Sequence, residues 1–317
     1  MTEARNIIYL LGILLVIGCN PKEPLDTNLT SNYQLVVLGN VQDAGSPHIG
    51  CNKTCCSQLS SQDKANRLVT SLGVINFNQQ KSYLFEASPD ISEQIRHIHQ
   101  SDSGLTNALV DGIFLTHAHI GHYTGLMYLG KEAIHSHCTP VYTMPRMQNF
   151  LQTSGPWSQL VELQNMDLLP LKDGSKTRLD SLHVVPFIVP HRDEFSETVG
   201  YLISGPNKIA LFIPDIDKWS KWNTDIKKLI LEVDYAFLDA TFFSGDEINS
   251  RDISEIPHPF VCESMELFKA LSKEDKAKIY YIHMNHTNPM LDKNSKETKQ
   301  VLDSGYHIAR LGDRFDL

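Results

Sequence analysis

The residues best suited to chemistry in this sequence are three histidines, His117, His119 and His122, within six positions. A predicted strand ends at Thr116, and a helix is predicted to begin at the third histidine. On such a strand-to-helix turn, the first two imidazoles point to one side and the third comes round from the start of the helix. Neutral imidazole is the commonest side-chain ligand for zinc and related metals. The spacing therefore predicts a metal site rather than ordinary packing.

Three cysteines form a second cluster near the N-terminus. Cys51, Cys55 and Cys56 follow a predicted strand and a glycine-containing loop, again within six positions. Thiolates at this spacing suit a tetrahedral structural zinc ion that takes a fourth ligand from elsewhere. A disulfide is the alternative in an oxidising compartment, but a bond between the adjacent Cys55 and Cys56 would be strained and three cysteines leave one unpaired. We therefore favour zinc.

The elements that position these clusters are short. Runs of β-branched or aromatic residues with turn residues nearby predict strands at 34–39, 74–76, 82–86, 112–116, 140–143, 183–189, 199–204, 208–213, 235–239 and 278–283. Helices are predicted at 88–100, 122–130, 145–153, 218–232, 262–271 and 293–304. Single helices between strands, with many hairpins, predict mixed sheets that are covered by helices.

The composition of the chain excludes several classes of protein. Of 317 residues, 41% are hydrophobic and 21% are charged, which is ordinary for a globular domain and excludes a largely disordered chain, a fibre or a polytopic membrane protein. The formal net charge of -9 argues against nucleic acid as a main partner, because phosphate binding needs a basic face. We therefore expect a small-molecule substrate.

The N-terminal segment has the pattern of a bacterial lipoprotein signal. The apolar run 7–17 is 11 residues long, which is too short to cross a bilayer as a helix but suits the core of a signal peptide. It ends in Gly18-Cys19, as a lipobox does. We expect a signal peptide over 1–18, lipidation of Cys19, and a polar tether over 19–32 that precedes one domain over 33–317. This organisation places the protein in the bacterial cell envelope, where the membrane is contacted only through the lipid anchor.

The histidine motif, His-x-His-x-Gly-His, resembles the metallo-β-lactamase superfamily, whose signature is His-x-His-x-Asp-His after a strand. The resemblance implies an α/β (α+β) fold of the four-layer αββα sandwich type. It also implies further metal ligands, each just after an apolar run. These are His191, the bridging carboxylate Asp215, which is also catalytic, and His283, in addition to His117, His119 and His122.

Position 121 departs from that signature, because it is glycine where the superfamily has aspartate. In the superfamily this aspartate and the following histidine help to hold the second metal. The sequence therefore predicts that a first metal on His117, His119 and His191 is the tighter one. The second site, with His122, Asp215 and His283 as candidates, is predicted to be weak, absent or of another kind.

The cysteine cluster narrows the resemblance to the branch that contains pyrroloquinoline-quinone biosynthesis protein B and the phosphonate-pathway cyclic phosphodiesterase. In that branch a Cys-rich loop follows the first strand, usually as Cys-x-Cys-x-x-Cys, whereas this chain has Cys-x-x-x-Cys-Cys. The phosphodiesterase has a second histidine three residues after the last superfamily histidine. Here that residue is His286, which the resemblance implies as the fourth structural ligand beside Cys51, Cys55 and Cys56.

Three further residues are candidates for the active site. His258, in a proline-flanked loop, matches the place of a proton donor in the phosphodiesterase-like branch; the alternative is a plain surface loop. Asp43, on the loop after the first strand, is a candidate for contact with metal-bound water or substrate; the alternative is a turn cap. Asp239, at a strand end, is a candidate to orient a ligand histidine from the side of the ring away from the metal.

These features leave three hypotheses for function. The first is a metal-dependent hydrolase of a small ester or phosphodiester, in which one or two active-site metals (zinc, with iron or manganese as alternatives) activate water. The second is an iron-dependent, oxygenase-like enzyme related to pyrroloquinoline-quinone biosynthesis protein B. The third is a non-catalytic surface protein that binds a metal or ligand through a degenerate site, which Gly121 favours.

Overall fold

The computed structural model describes residues 32–100, 104–192, 194–247 and 256–317. The predicted signal peptide, Cys19 and the tether up to residue 31 lie outside these residues. In the part of the chain that is described, no helix combines the length and the apolar character needed to span a membrane.

Two sheets of seven strands form the centre of the described structure. The first sheet has the order β14 (Arg314–Asp316), β1 (Tyr33–Gly39), β2 (Ser71–Asn76), β3 (Lys81–Phe85), β4 (Gly112–Phe114), β5 (Thr139–Thr143) and β6 (Met166–Pro170). The second has the order β13 (His307–Ile308), β12 (Ile279–Ile282), β11 (Tyr235–Asp239), β10 (Ile209–Ile213), β9 (Val199–Ser204), β8 (Leu182–Ile188) and β7 (Thr177–Leu179). Strands β3 to β6 are parallel, as are β10 to β13, and the other pairs are antiparallel.

Helices lie between these strands in the chain. They are α1 (Thr54–Ser57), α2 (Ser61–Ala65), α3 (Ile91–His99), α4 (Ile120–Tyr123), α5 (Pro145–Thr153), α6 (Trp157–Glu162), α7 (Ile226–Glu232), α8 (Val261–Phe268), α9 (Lys273–Lys276) and α10 (Lys296–Asp303). The buried side chains of α3 and α5 join the core on the outer face of the first sheet. Those of α7, α8 and α10 join the core on the outer face of the second.

The sheets face each other across an aromatic core. Phe114 of the first sheet stacks on Phe85, with ring centroids 4.9 Å apart, and on Tyr142, at 4.3 Å. Tyr201 of the second sheet meets both phenylalanine rings edge-on. Helices outside two packed sheets make four layers, so the predicted αββα sandwich is confirmed.

We expect replacement of Phe114 by alanine to destabilise this core. The ring is fully buried, and removal of such a side chain costs about 3–5 kcal/mol of unfolding free energy. Urea denaturation followed by circular dichroism measures the loss. Leu231→Ala in α7 is the matched control, since its side chain is 55% exposed and a loss below about 0.5 kcal/mol is expected. Equal losses in the two variants would contradict the proposed role of Phe114.

Two helices differ from their predicted ranges. The helix predicted at 122–130 is the short α4 followed by a 3₁₀ segment, Thr124–Leu129. That segment packs closely against the loop between β3 and α3, so a Cβ on Gly125 would be 2.1 Å from the Ser88 carbonyl oxygen. The helix predicted at 218–232 begins only at Ile226, because Asp225 caps it by accepting a hydrogen bond from Lys227 N at 3.0 Å.

Candidate metal centre

Strand ends bring the first group of candidate ligands together. His117 and His119 follow β4, while His191 and Asp215 follow β8 and β10. His117 Nε2 and His191 Nε2 lie 3.3 Å and 3.2 Å from Asp215 Oδ2. His119 Nδ1 lies 2.9 Å from His117 Nε2 and 3.3 Å from His191 Nε2. Four potential ligand atoms therefore converge from two sheets on one point.

These separations fit a tetrahedral metal. Ligand atoms about 2.0–2.1 Å from a zinc ion are about 3.3 Å from one another, as the atoms of His117, His191 and Asp215 are here. Asp215 is fully buried. Burial alone would raise the pKa of its carboxyl, but His191 and His258 outweigh that effect and hold the pKa well below its usual range. Four converging donors of this chemistry are a site for a divalent cation.

A second group of potential ligands lies beside the first. Asp43 Oδ1, from the loop after β1, is 3.1 Å from His122 Nε2 and 3.5 Å from His283 Nε2. His122 Nε2 is in turn 3.8 Å from Asp215 Oδ2. Asp215 therefore touches both groups, in the position of the predicted bridging carboxylate. The structure thus brings the six predicted active-site ligands to one place and adds Asp43 to them.

Carboxylates lie behind the histidines, on the side away from the convergence points. Glu86 Oε1 is 3.2 Å from His122 Nδ1, and His191 Nδ1 donates to Asp217 Oδ1 at 3.2 Å. Such partners fix the ring orientation and raise the basicity of a ligand imidazole. The sequence analysis missed both Glu86 and Asp217. Each follows an apolar strand, which is the pattern that pointed to Asp215.

His258 packs against the first group of candidate ligands and does not lie on the surface. Its Nδ1 donates to Asp239 Oδ2 at 2.9 Å and lies 3.1 Å from Asp215 Oδ1. Burial opposes the charged ring, but the carboxylates of Asp239 and Asp215 outweigh it and hold the pKa of His258 well above its usual range. Asp239 Oδ1 also lies 3.8 Å from His283 Nδ1. Asp239 therefore lies behind two histidines of the site.

Two residues of the centre have left-handed backbone conformations that are rare for residues other than glycine. Glu86 has φ +86° and His283 has φ +64°. Such conformations cost of order 1–3 kcal/mol and cluster at functional sites, where the surrounding structure holds them. Their presence at a buried carboxylate and a buried candidate ligand supports a functional rather than a packing role for this region.

The cysteine cluster is assembled at a separate place. Sγ of Cys51 and Sγ of Cys55 are 3.9 Å apart, and those of Cys55 and Cys56 are 4.0 Å apart. A disulfide needs about 2.05 Å, whereas thiolates about 2.3 Å from a tetrahedral zinc ion are about 3.8 Å apart. A ligand nitrogen of His286 lies within 4.8 Å of all three sulfurs. The cluster therefore has the geometry of a Cys₃His zinc site.

The protonation state of His286 also suits zinc. Burial and the neighbouring His48 and Lys53 lower the pKa of His286 to about 4, so the imidazole is neutral near pH 7. Its Nδ1 is buried and makes no hydrogen bond among the described residues. Cys56 Sγ accepts a hydrogen bond from His48 N at 3.3 Å, which favours a thiolate, but burial outweighs this bond and raises the pKa of Cys56, so zinc must displace a proton from this thiol.

Comparisons with known proteins agree with the geometry. A sequence profile described as the beta-lactamase superfamily domain matches residues 81–284. Coenzyme PQQ synthesis protein B of Nitrosococcus oceani is 25% identical over 303 residues, which cover 86% of this chain and 96% of that protein. The protein of the same name from Klebsiella pneumoniae is 24% identical over 297 residues, which cover 86% of this chain and 94% of that protein.

Solved structures are similar in fold. Zn²⁺-bound PqqB from Methylobacterium extorquens has a TM-score of 0.71 and 21% identity, with 90% of this chain and 100% of that chain covered. A diphosphatase from the PhnP family has a TM-score of 0.62 and 22% identity, with 89% of this chain and 96% of that chain covered. Together with the two converging ligand groups, these matches confirm the predicted resemblance. The chain belongs to the β-lactamase superfamily, and its relatives include the branch of coenzyme PQQ synthesis protein B and the PhnP-family diphosphatase.

Proposed function

We propose that this protein is a metal-dependent hydrolase of a small phosphodiester or ester. The observation that carries the proposal is the pair of ligand groups that share Asp215, with His258 in contact with the same carboxylate. Divalent metals held by these residues supply Lewis acidity toward a phosphoryl or ester oxygen and lower the pKa of water at the site. The PhnP-family diphosphatase, which has the same fold, supports the phosphoester class.

The protein's own residues supply proton transfer and charge. The hydrogen bond from His258 Nδ1 to Asp239 fixes the orientation of the ring, so Nε2 is the atom that passes a proton to the leaving group. Arg192 Nε and Nη2 lie 3.2 Å and 3.1 Å from His119 Nε2. Its side chain is 67% exposed and pairs with Glu194 Oε1 at 3.0 Å, so an anionic phosphodiester that arrives at this rim would compete with Glu194 for the guanidinium.

We further propose a small substrate and a location in the cell envelope. The net charge of -9 disfavours a long nucleic acid. The Gly18-Cys19 pattern supports a lipid anchor at the N-terminus. Mass spectrometry of the membrane fraction from cells that express the full chain tests the anchor, which requires a lipid-modified N-terminal Cys19. A cleaved or uncleaved N-terminus without lipid would contradict it.

A hydrolysis assay tests the proposed activity. The full chain is stripped with a chelator, reloaded separately with Zn²⁺, Mn²⁺ and Fe²⁺, and incubated with bis(p-nitrophenyl) phosphate, a cyclic nucleotide and p-nitrophenyl acetate. We expect turnover of at least one substrate that depends on metal and is lost in His117→Ala. If no substrate turns over above the rate of His117→Ala, the hydrolase proposal fails and a binding role is favoured.

The second candidate is iron-dependent oxygen chemistry. It is favoured by the relatives named coenzyme PQQ synthesis protein B, which align with 86–88% of this chain, and by a histidine-rich site that suits Fe²⁺ as well as zinc. Oxygen uptake by the Fe²⁺-loaded protein, compared with the zinc-loaded protein, separates it from hydrolysis. Oxygen uptake that needs Fe²⁺, with no hydrolysis under any metal, would favour this candidate over the first.

A further inference from the structure

Glycine at position 121 leaves room for another side chain. A Cβ at this position would lie 2.4 Å from the Cα of Asp43, 2.5 Å from its Oδ1 and 2.8 Å from its Cβ. The first contact is with a backbone atom, so a change of rotamer cannot relieve it. Asp43 therefore occupies the space into which a side chain at position 121 would extend, and only glycine fits opposite it.

The carboxylate of Asp43 points toward two histidines without a hydrogen bond to either. Oδ1 is 3.1 Å from His122 Nε2 and 3.5 Å from His283 Nε2. All three atoms are buried, and none of them has a hydrogen-bond partner within the described parts of the chain. Buried polar atoms without partners are costly. Three that converge at the spacing of a coordination shell are explained together by one cation.

The loop that carries Asp43 is tied to the strand end that carries His283. Gln42 N donates to Met284 O at 2.9 Å, and Met284 N donates to Asn40 O at 2.8 Å. Asn285 Nδ2 donates to Gln42 Oε1 at 2.7 Å. These bonds join the residues just before Asp43 to the residues just after His283. Asp43 is therefore held in register with His283 rather than placed there by a free loop.

We propose that Asp43 is the carboxylate ligand of the second active-site metal and has taken the place of the aspartate that the superfamily signature has at position 121. The ligand has moved to a different segment of the chain while the charge of the site is unchanged, since Asp43 and the shared Asp215 provide the two carboxylates. Gly121 is then a requirement of the site and not a sign of its decay. The proposal rests on the metal centre of the proposed function and names the residue that completes it.

Metal counting tests the proposal without any substrate. Full-length wild type, Asp43→Asn and Gly121→Ala are equilibrated with Zn²⁺, and bound zinc is measured by elemental analysis and by chelator competition. We expect three zinc ions per wild-type chain. Asp43→Asn should lose one of them, with affinity at that site reduced at least about a hundredfold, since loss of an outer partner alone costs about 10–100-fold. Gly121→Ala keeps Asp43 but adds a Cβ that meets its backbone, so it should lose the same ion.

Controls separate binding from folding and from activity. Asp167→Asn changes an exposed acid in β6 and is expected to keep three ions. Circular dichroism reports whether each variant folds; if Gly121→Ala does not fold, Asp43→Asn alone decides. An Asp43→Asn variant that keeps three ions at wild-type affinity overturns the proposal, as does a folded Gly121→Ala variant that does so. Loss of one zinc ion from Asp43→Asn, without hydrolysis of any substrate by wild type, would overturn the proposed function and leave this ligand assignment standing.

Discussion

Replacing Cys51 with alanine is expected to remove the structural zinc ion and to lower the free energy of unfolding. The loss is about 4 kcal/mol when the free zinc concentration is a thousandfold above the dissociation constant of zinc from the native protein. The physical reason is linkage, because the four ligand atoms of Cys51, Cys55, Cys56 and His286 are assembled only in the folded chain. The cluster also joins the loop after β1 to the segment after β12. Its loss therefore removes one of the connections of the loop in which Asp43 lies and leaves the hydrogen bonds of that loop to the segment after β12.

Matched variants and two measurements check this expectation. Cys138 and Cys262 are exposed free cysteines outside the cluster, so Cys138→Ala and Cys262→Ala should keep wild-type zinc content and stability. Elemental analysis counts the metal, and urea denaturation with and without chelator gives the stability. The chelator should destabilise wild type but have a smaller effect on Cys51→Ala. If Cys51→Ala keeps its zinc, the ligand assignment is wrong.

The affinity of this site for zinc is expected to rise with pH around neutrality. Burial, together with the hydrogen bond and charge of the neighbouring thiols, raises the pKa of the Cys55 thiol to about 12, and burial raises that of Cys56. Zinc must displace these protons, so each displaced proton strengthens binding about tenfold per pH unit. His286, with a pKa of about 4, has no proton to lose above pH 5. Chelator competition at pH 6, 7 and 8 measures the slope, and a flat profile would show that the thiols are not ligands.

Much of the site could be predicted because its signals are local. His117, His119 and His122 are close in the sequence, and His191, Asp215 and His283 each follow an apolar strand. A residue at the end of a buried strand lies at the sheet edge where sites form in such folds. That rule also describes Glu86 and Asp217, but it does not tell a ligand from the carboxylate behind it. The distinction needs the direction of each side chain, which is a property of the folded structure.

Asp43 was predicted to lie near the site, but its contact with Gly121 could not be predicted, for a different reason. Its contact with Gly121 joins segments that are far apart in the sequence, and it depends on how closely two backbones approach. The sequence alone showed a glycine where a carboxylate is usual and therefore favoured a weakened second site. Short edge strands were missed for a related reason. β13 has two residues and β14 has three, so neither carries an alternating pattern, and pairing with a longer neighbour stabilises each of them.

Replacing His258 with asparagine is expected to lower kcat by about 10²–10⁴-fold for a phosphodiester with an alkyl leaving group. The expectation rests on the hydrolase proposal, in which His258 passes a proton to the leaving oxygen. Asparagine retains an N–H near the position of Nδ1, so it can still donate to Asp239, as the histidine does at 2.9 Å. It cannot transfer a proton as imidazole does. The substitution therefore removes the chemistry and keeps the packing.

The leaving group separates proton transfer from a structural role. A p-nitrophenolate leaves without protonation, so bis(p-nitrophenyl) phosphate should be hydrolysed by His258→Asn within about tenfold of the wild-type rate, while the alkyl ester shows the full loss. KM and metal content should be unchanged for both. Asp239→Asn is the companion variant: it leaves the imidazole in place but weakens its orientation, so we expect a smaller loss with the same dependence on leaving group. Equal losses of kcat for the two substrates in His258→Asn would mean that this histidine donates no proton. Its role would then be to position Asp215, whose Oδ1 lies 3.1 Å from His258 Nδ1.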